Sequence, residues 1–242
     1  MHAVDAAGRD PSVGCIVVQG AGRAFCSGWA LTPATGERST GHGDRDPEDM
    51  TLREDIEALA RRSGRWASLW TSNKPILAKV HGYCLAGGTD LALHCDMIVA
   101  SDDAQFGFPA VRSMGSPSTH MWTYMVGPQW AKRLLLSGRP IDGRTAERVG
   151  LVMQAVPAAE LDTEAHRIAA DIALVPHDLL AQNKSICNKA IELMGRTLLQ
   201  ELARESDAIV HQSPQAREFA AIARKDGLKA ALAWQNRAGE RF

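Results

Sequence analysis

Three observations predict an α/β fold with a helical region appended. Short, continuous apolar runs of the kind buried in a parallel sheet alternate with stretches of helical period over roughly the first 155 residues. One such run leads through His81-Gly82 to adjacent glycines, Gly87-Gly88, which open a short helix. Beyond Gly127-Pro128 the apolar spacing is almost entirely three and four, which is helical.

In chain order, residues 14–19 form the first apolar run, ending at Gly20, and are expected as a strand buried on both faces. Gly20 and Gly22 suggest a dinucleotide fingerprint, but Phe25 takes the place of the third glycine and residues 26–29 do not continue as a helix. The better reading is a tight turn that sets Gly28 and Trp29 at the edge of the sheet. Residues 32–50 are rich in Thr, Gly, Asp, Arg and Pro without apolar period and are expected as a mobile loop. From 51 to 72, Leu52, Ile56, Leu59, Ala60, Trp66, Leu69 and Trp70 recur at helical spacing behind Thr51 and acidic residues, which predicts a helix on the sheet. Residues 75–80, 97–100 and 105–108 are the remaining strand candidates. Helices are expected over 129–137, 142–149 with Gly150 as a stop, 158–174, 176–194, 196–211 and 214–233, with 152–156 extended. The boundary falls near 155, giving a core of 1–155 and a helical region of 156–242.

The bulk numbers exclude several classes. A chain of 242 residues, 45% hydrophobic and 23% charged, can bury one sizeable core or two modest ones. A formal net charge of −1, with Lys and Arg scattered, gives no electrostatic case for nucleic acid or an anionic membrane. The five cysteines are odd in number and form no C-x-x-C pair, pointing to a reducing cytoplasm. Residues 1–13 lack the apolar segment of a signal peptide, and no apolar run reaches the ~18 residues of a membrane span. His42, His81, His94 and His120 stand isolated, without the spacing of a metal set.

The glycine pair supports two readings. Gly87-Gly88 can be the close approach of helix to strand, or a turn whose free N–H groups face an anion. Asp90, in the first turn of that helix, is either a partner of the helix dipole or a group acting on whatever the turn holds. Ser116 and Ser118 lie outside a G-x-S-x-G elbow; Ser118 or Thr119 is expected to cap a helix through 121–125. Trp122 and Tyr124 belong either to a pocket or to the core.

Taken together, residues 10–28, Lys74-Pro75, residues 77–96 and 104–109, Gly127-Pro128 and residues 142–152 resemble the crotonase (enoyl-CoA hydratase/isomerase) superfamily of acyl-CoA enzymes. Residues 223–230 are similar to that family's closing helices. The resemblance implies a ββα spiral with a C-terminal helical trimerisation region, assembled as a homotrimer or a dimer of trimers. It implies an acyl-CoA substrate, no cofactor beyond that thioester, and two backbone N–H groups, of Trp29 and Gly87, that hold the thioester oxygen as an enolate forms. Ser27, Ala30, Leu31, Pro109, Ala110 and Ser118 then line the substrate.

The departures from the family pattern bear on chemistry. Hydratases of this kind usually carry two glutamates; here Asp90 takes the first place and Ala110 the second, and alanine moves no proton. Asp90 alone suits an isomerisation, or a reaction in which water or substrate supplies the other group. Ser118 stands where aroyl-CoA dehalogenases place a nucleophilic aspartate, and His120 is a candidate replacement base. The family's N-terminal hairpin is missing from the expected pattern. The expected function is therefore enoyl-CoA hydration or isomerisation by Asp90, Trp29 and Gly87. The alternatives are a catalytically silent acyl-CoA-binding homologue and thioester hydrolase or dehalogenase-type chemistry through Ser118.

Overall fold

The structure is a computed structural model that describes residues 2–29 and 50–238. Two sheets share the strands. The first is wholly parallel, in the order β1 (Ile16–Gln19), β2 (Ile76–Val80), β4 (Met97–Ser101), β7 (Gln154–Val156). The second holds β3 (Tyr83–Leu85), β5 (Gln105–Gly107) and β6 (Ile141–Asp142), with β3 and β5 parallel and β6 antiparallel to β5. From β2 to β5 the strands alternate between the two sheets. Each passage from one sheet to the other is short, and β2–β3–α3 (Gly87–Ala92) is one such ββα turn.

The central strands are apolar except for Lys79 of β2, which pairs with Asp162, and Ser101 at the end of β4, because both their faces are covered. Ile76, Ala78 and Val80 of β2, with Ile98 and Ala100 of β4, face the main core, where Leu69, Trp70, Phe106 and Trp122 are buried. Leu77 and Val99 point the other way, into a second cluster with Leu161, Ala165 and Ile168 of α6 (Leu161–Ala173). Strand β1 departs from the expectation of burial on both faces. Among the described residues it pairs only with β2, which makes it the edge of its sheet, and Val17 is 40% exposed.

Helix α2 (Leu52–Thr71) begins at Thr51 in a capping box, the Thr51 side chain accepting from Glu54 N–H and Glu54 accepting from Thr51 N–H. It buries Ala58, Leu59, Leu69 and Trp70, whereas Leu52 is exposed. Asp55 is also buried on that face, because His211, 156 residues later, brings Nδ1 to 2.7 Å from its Oδ2. No periodicity rule finds a carboxylate at a core position.

The helix over 129–137 extends back to Trp122 as α4 (Trp122–Ser137), broken at Gly127 (φ 68°, ψ 172°) ahead of Pro128. Helix α5 (Gly143–Arg148) is capped by Asp142, whose carboxylate accepts from Thr145 N–H. The helical region continues as α7 (His177–Leu193) and α8 (Arg196–His211). The helix expected over 214–233 divides at Gly227 into α9 (Pro214–Asp226) and α10 (Leu228–Ala238). Helix α1 (His2–Arg9) precedes the first sheet. No helix among the described residues is long and apolar enough to cross a membrane.

Candidate active site

Three backbone hydrogen bonds fasten the segment after β1 to β3 and the turn before it: Phe25 N–H to His81 O (2.8 Å), Cys26 N–H to Tyr83 O (3.0 Å) and Leu85 N–H to Cys26 O (3.0 Å). They deliver Gly28 and Trp29 to the start of α3. Gly28 takes φ +108°, and a Cβ there would lie 3.1 Å from Ala86 Cβ and 3.6 Å from Gly87 N, so the two chain segments meet at close range.

Helix α3 is entered through a sharp corner. Ala86 adopts φ 49°, a strained conformation for a residue with a Cβ, and the corner is pinned on both sides. Its N–H donates to Gly107 O, and its carbonyl accepts from Thr89 N–H, Asp90 N–H and the Thr89 hydroxyl. Gly87 is thus the first helical residue, and its N–H has no carbonyl one turn behind to bond. The two readings of the glycine pair divide between its members. A Cβ on Gly88 would come within 2.3 Å of Cys26 O, which is the packing role; a Cβ on Gly87 would meet Trp29 Nε1 at 2.7 Å. The Trp29 indole therefore lies against the helix start, and its ring meets Trp66 of α2 at 5.9 Å between centroids.

Asp90 sits one turn beyond Gly87, on the same side of the helix, and is 3% exposed. Its Oδ1 accepts a 2.6 Å hydrogen bond from the Thr119 hydroxyl. Burial pushes its carboxyl up to about 7, with Asp207 repulsion adding to the rise and the Thr119 bond opposing it. A carboxyl that titrates near neutrality can both take and give a proton there. His94, at the end of α3, is held neutral by burial, which pulls it down to about 4.

The other expected residues lie as follows. Ser27 is exposed just before Gly28; Ala30, Leu31 and the loop expected over 32–50 lie outside the described residues, except Met50, which is half-buried. Pro109 and Ala110 open a 3₁₀ turn, Pro109–Arg112, directly after β5. Pro109 O accepts from Gln235 Nε2 of α10, and Ala110 O gathers the N–H groups of Ser113, Met114 and Gly115. Ser118 is half-buried beside Thr119. Neither caps a helix: Met121 occupies the position before α4 and makes no side-chain capping bond, while the Thr119 hydroxyl is committed to Asp90. His120 bonds Thr123 Oγ1 through Nε2 and lines a groove of about 490 Å³ between the 111–120 segment and α8. Neither Asp90, Gly87 nor Trp29 lines that groove. Trp122 is fully buried core, and the Tyr124 hydroxyl donates to Met194 O. Thr119, which sequence reasoning assigned to a cap, is the side chain that meets Asp90. No local signal marks it, since 29 residues separate the two. Among the described residues no group of three or more His, Cys, Asp or Glu could hold a metal ion.

A profile of the family described as enoyl-CoA hydratase/isomerase matches residues 1–221. The chain belongs to this family. A probable enoyl-CoA hydratase of Mycobacterium tuberculosis is 32% identical over 186 residues, covering 76% of this chain and 66% of the relative. A mevalonyl-coenzyme A hydratase of Beauveria bassiana is 35% identical over 174 residues, 68% of this chain and 58% of the relative. The match thus spans less than two thirds of the length of these curated relatives. Among solved structures, an enoyl-CoA hydratase from Mycobacterium smegmatis superposes with a TM-score of 0.88 at 34% identity, covering 97% of this chain and 82% of that one. The two interleaved sheets and the helical region that follows them are therefore the crotonase fold.

Proposed function

We propose that this enoyl-CoA hydratase/isomerase family member acts on an acyl-CoA thioester. The N–H groups of Trp29 and Gly87 hold the thioester oxygen as negative charge develops, and Asp90 transfers the proton. The observation that carries this reading is a buried carboxyl raised to about 7, one helical turn from an N–H with no helical partner. The reaction is enoyl-CoA hydration or isomerisation. Isomerisation suits a single carboxyl, which removes a proton from one carbon of the enolate system and returns it to another. Hydration requires water or substrate to supply the second group, since the Ala110 methyl has no proton to give.

Purified protein incubated with 2-enoyl- and 3-enoyl-CoA thioesters, followed by the absorbance of the conjugated thioester, tests the reading. Turnover that disappears in Asp90→Asn and Gly87→Pro supports it. Turnover unchanged in both variants sinks it.

Ala110 also favours a second reading, a catalytically silent acyl-CoA-binding homologue. Calorimetric binding of CoA thioesters without turnover across a broad panel would select it. Assembly as a homotrimer or a dimer of trimers, in a reducing cytoplasmic setting, completes the proposal. It is supported by apolar side chains exposed along α7 and α8, among them Ile186, Leu193 and Leu198, and by five cysteines present as free thiols.

A further inference from the structure

The segment 109–119, which runs past Asp90, is gripped by the helical region at three points. Gln235 Nε2 of α10 donates to Pro109 O (2.9 Å), Asp207 Oδ1 of α8 accepts from Ser116 N–H (2.7 Å), and Gln200 Nε2 of α8 donates to Thr119 O (2.8 Å). The third grip closes a ring. Gln200 Nε2 also lies 3.3 Å from His94 Nε2, and His94 Nδ1 lies 2.7 Å from Asp90 O. A carbonyl can only accept, so Nδ1 carries the proton and Nε2 accepts from Gln200, one tautomer satisfying both contacts. Gln200 Oε1 in turn accepts from Arg196 Nη1 (3.0 Å), which fixes the orientation of the amide. Arg196 is itself held by Glu192 and by the face of Trp70, its Cζ 4.4 Å from the ring centroid. Both N–H groups and the oxygen of Gln200's amide are thereby engaged, so the Thr119 backbone is held at its carbonyl while the Thr119 hydroxyl donates to Asp90 Oδ1.

We propose that Thr119 is a positioning residue for Asp90, locked by Gln200 of α8, so that the C-terminal helical region sets the aim of the proton-transfer carboxyl. The proposal rests on Asp90 being the proton-transfer group. The titratable and charged groups around the pair are Cys84 of β3, His94 just past α3 and, from α8, Asp207 and Arg196; Asp207 repulsion raises the Asp90 carboxyl, Asp90 in turn adds to the burial that raises the Cys84 thiol, and Arg196 acts on His94. Thr119 contributes the opposing hydrogen bond, which favours the ionised form.

The experiment follows the Asp90 carboxyl by isotope-edited difference infrared spectroscopy across pH in the full chain, with Asp90→Asn to assign the band. It is paired with pH profiles of enoyl-CoA turnover. In Thr119→Val the Asp90 midpoint moves up by about one unit and kcat at neutral pH falls roughly tenfold or more, with KM within about twofold. Thr119→Ser, which keeps the hydroxyl, restores both; Gln200→Leu reproduces a smaller upward movement. An Asp90 midpoint unmoved in Thr119→Val, or one that Thr119→Ser fails to restore, overturns the proposal. Should Thr119→Val not fold, an unmoved midpoint in Gln200→Leu overturns it instead. The infrared titration needs no substrate. Absent turnover therefore counts against the acid/base assignment, while the titration alone decides the positioning of Asp90.

Discussion

Asp90 combines two demands that oppose each other. Its function requires a carboxyl that exchanges a proton near neutrality, and the means is burial, which penalises the charged form. Activity is expected to follow a single ionisation near pH 7. Asp90→Asn should lower kcat/KM by about 10²–10⁴-fold, measured with an enoyl-CoA thioester. The same burial affects stability. Because the folded carboxyl is raised above its unfolded value of 3.8, its contribution is fully present below about pH 4 and is lost as pH rises through about 7. Asp90→Asn is therefore expected to melt higher than the wild type at about pH 8, with the gap closing toward pH 4; calorimetric melting across pH checks the sign. Asn retains an oxygen to accept from Thr119, so the comparison isolates the charge.

At the scale of the element, the corner into α3 stands on two glycines with different jobs. Gly88→Ala forces a Cβ against the Cys26 carbonyl, backbone that cannot turn away, and should destabilise the fold by roughly 1–3 kcal/mol or more in denaturant titration. Gly87→Ala meets the Trp29 indole instead, a side chain that can move, so most of its cost should appear as lost turnover with a smaller change in melting. Helix α2 offers the contrasting case. Its capping box is exposed and far along the chain from α3, and Thr51→Ala should cost about 1 kcal/mol of stability while leaving kcat unchanged. The start of α2 behind Thr51 and the glycine-opened corner were legible as local sequence patterns, because each is decided within three or four residues; Asp142, expected inside its helix, proved to be its cap. The cap assigned to Ser118 or Thr119 failed, since the competing partner for the Thr119 hydroxyl comes from another element.

Over the whole molecule, the helical region does two things. Its inner surface holds segment 109–119 through Gln200, Asp207 and Gln235, and its outer surface leaves Ile186 63%, Leu193 90% and Leu198 61% exposed in the single chain. Apolar exposure of that extent along α7 and α8 is what an assembly would cover. Light scattering is expected to give a trimer or a multiple of it. Ile186→Asp combined with Leu193→Asp should dissociate it to monomer, and a wild-type monomer at micromolar concentration would rule the assembly out.

The amino-acid sequence by itself determined the α/β class, the parallel central strands, the run of C-terminal helices and the turn that brings Gly87 and Asp90 together, because period and short-range spacing decide these within one or two elements. Only the tertiary structure decided that β1 is an edge, that Asp55 is buried against His211, and that Thr119 meets Asp90 under the hold of Gln200. Those contacts join residues 156, 29 and 81 positions apart in the cases of Asp55–His211, Thr119–Asp90 and Gln200–Thr119. At such separations the pairing depends on how the elements pack, and a polar side chain that looks solvated or capping in its own segment acquires its role only when another segment supplies the partner.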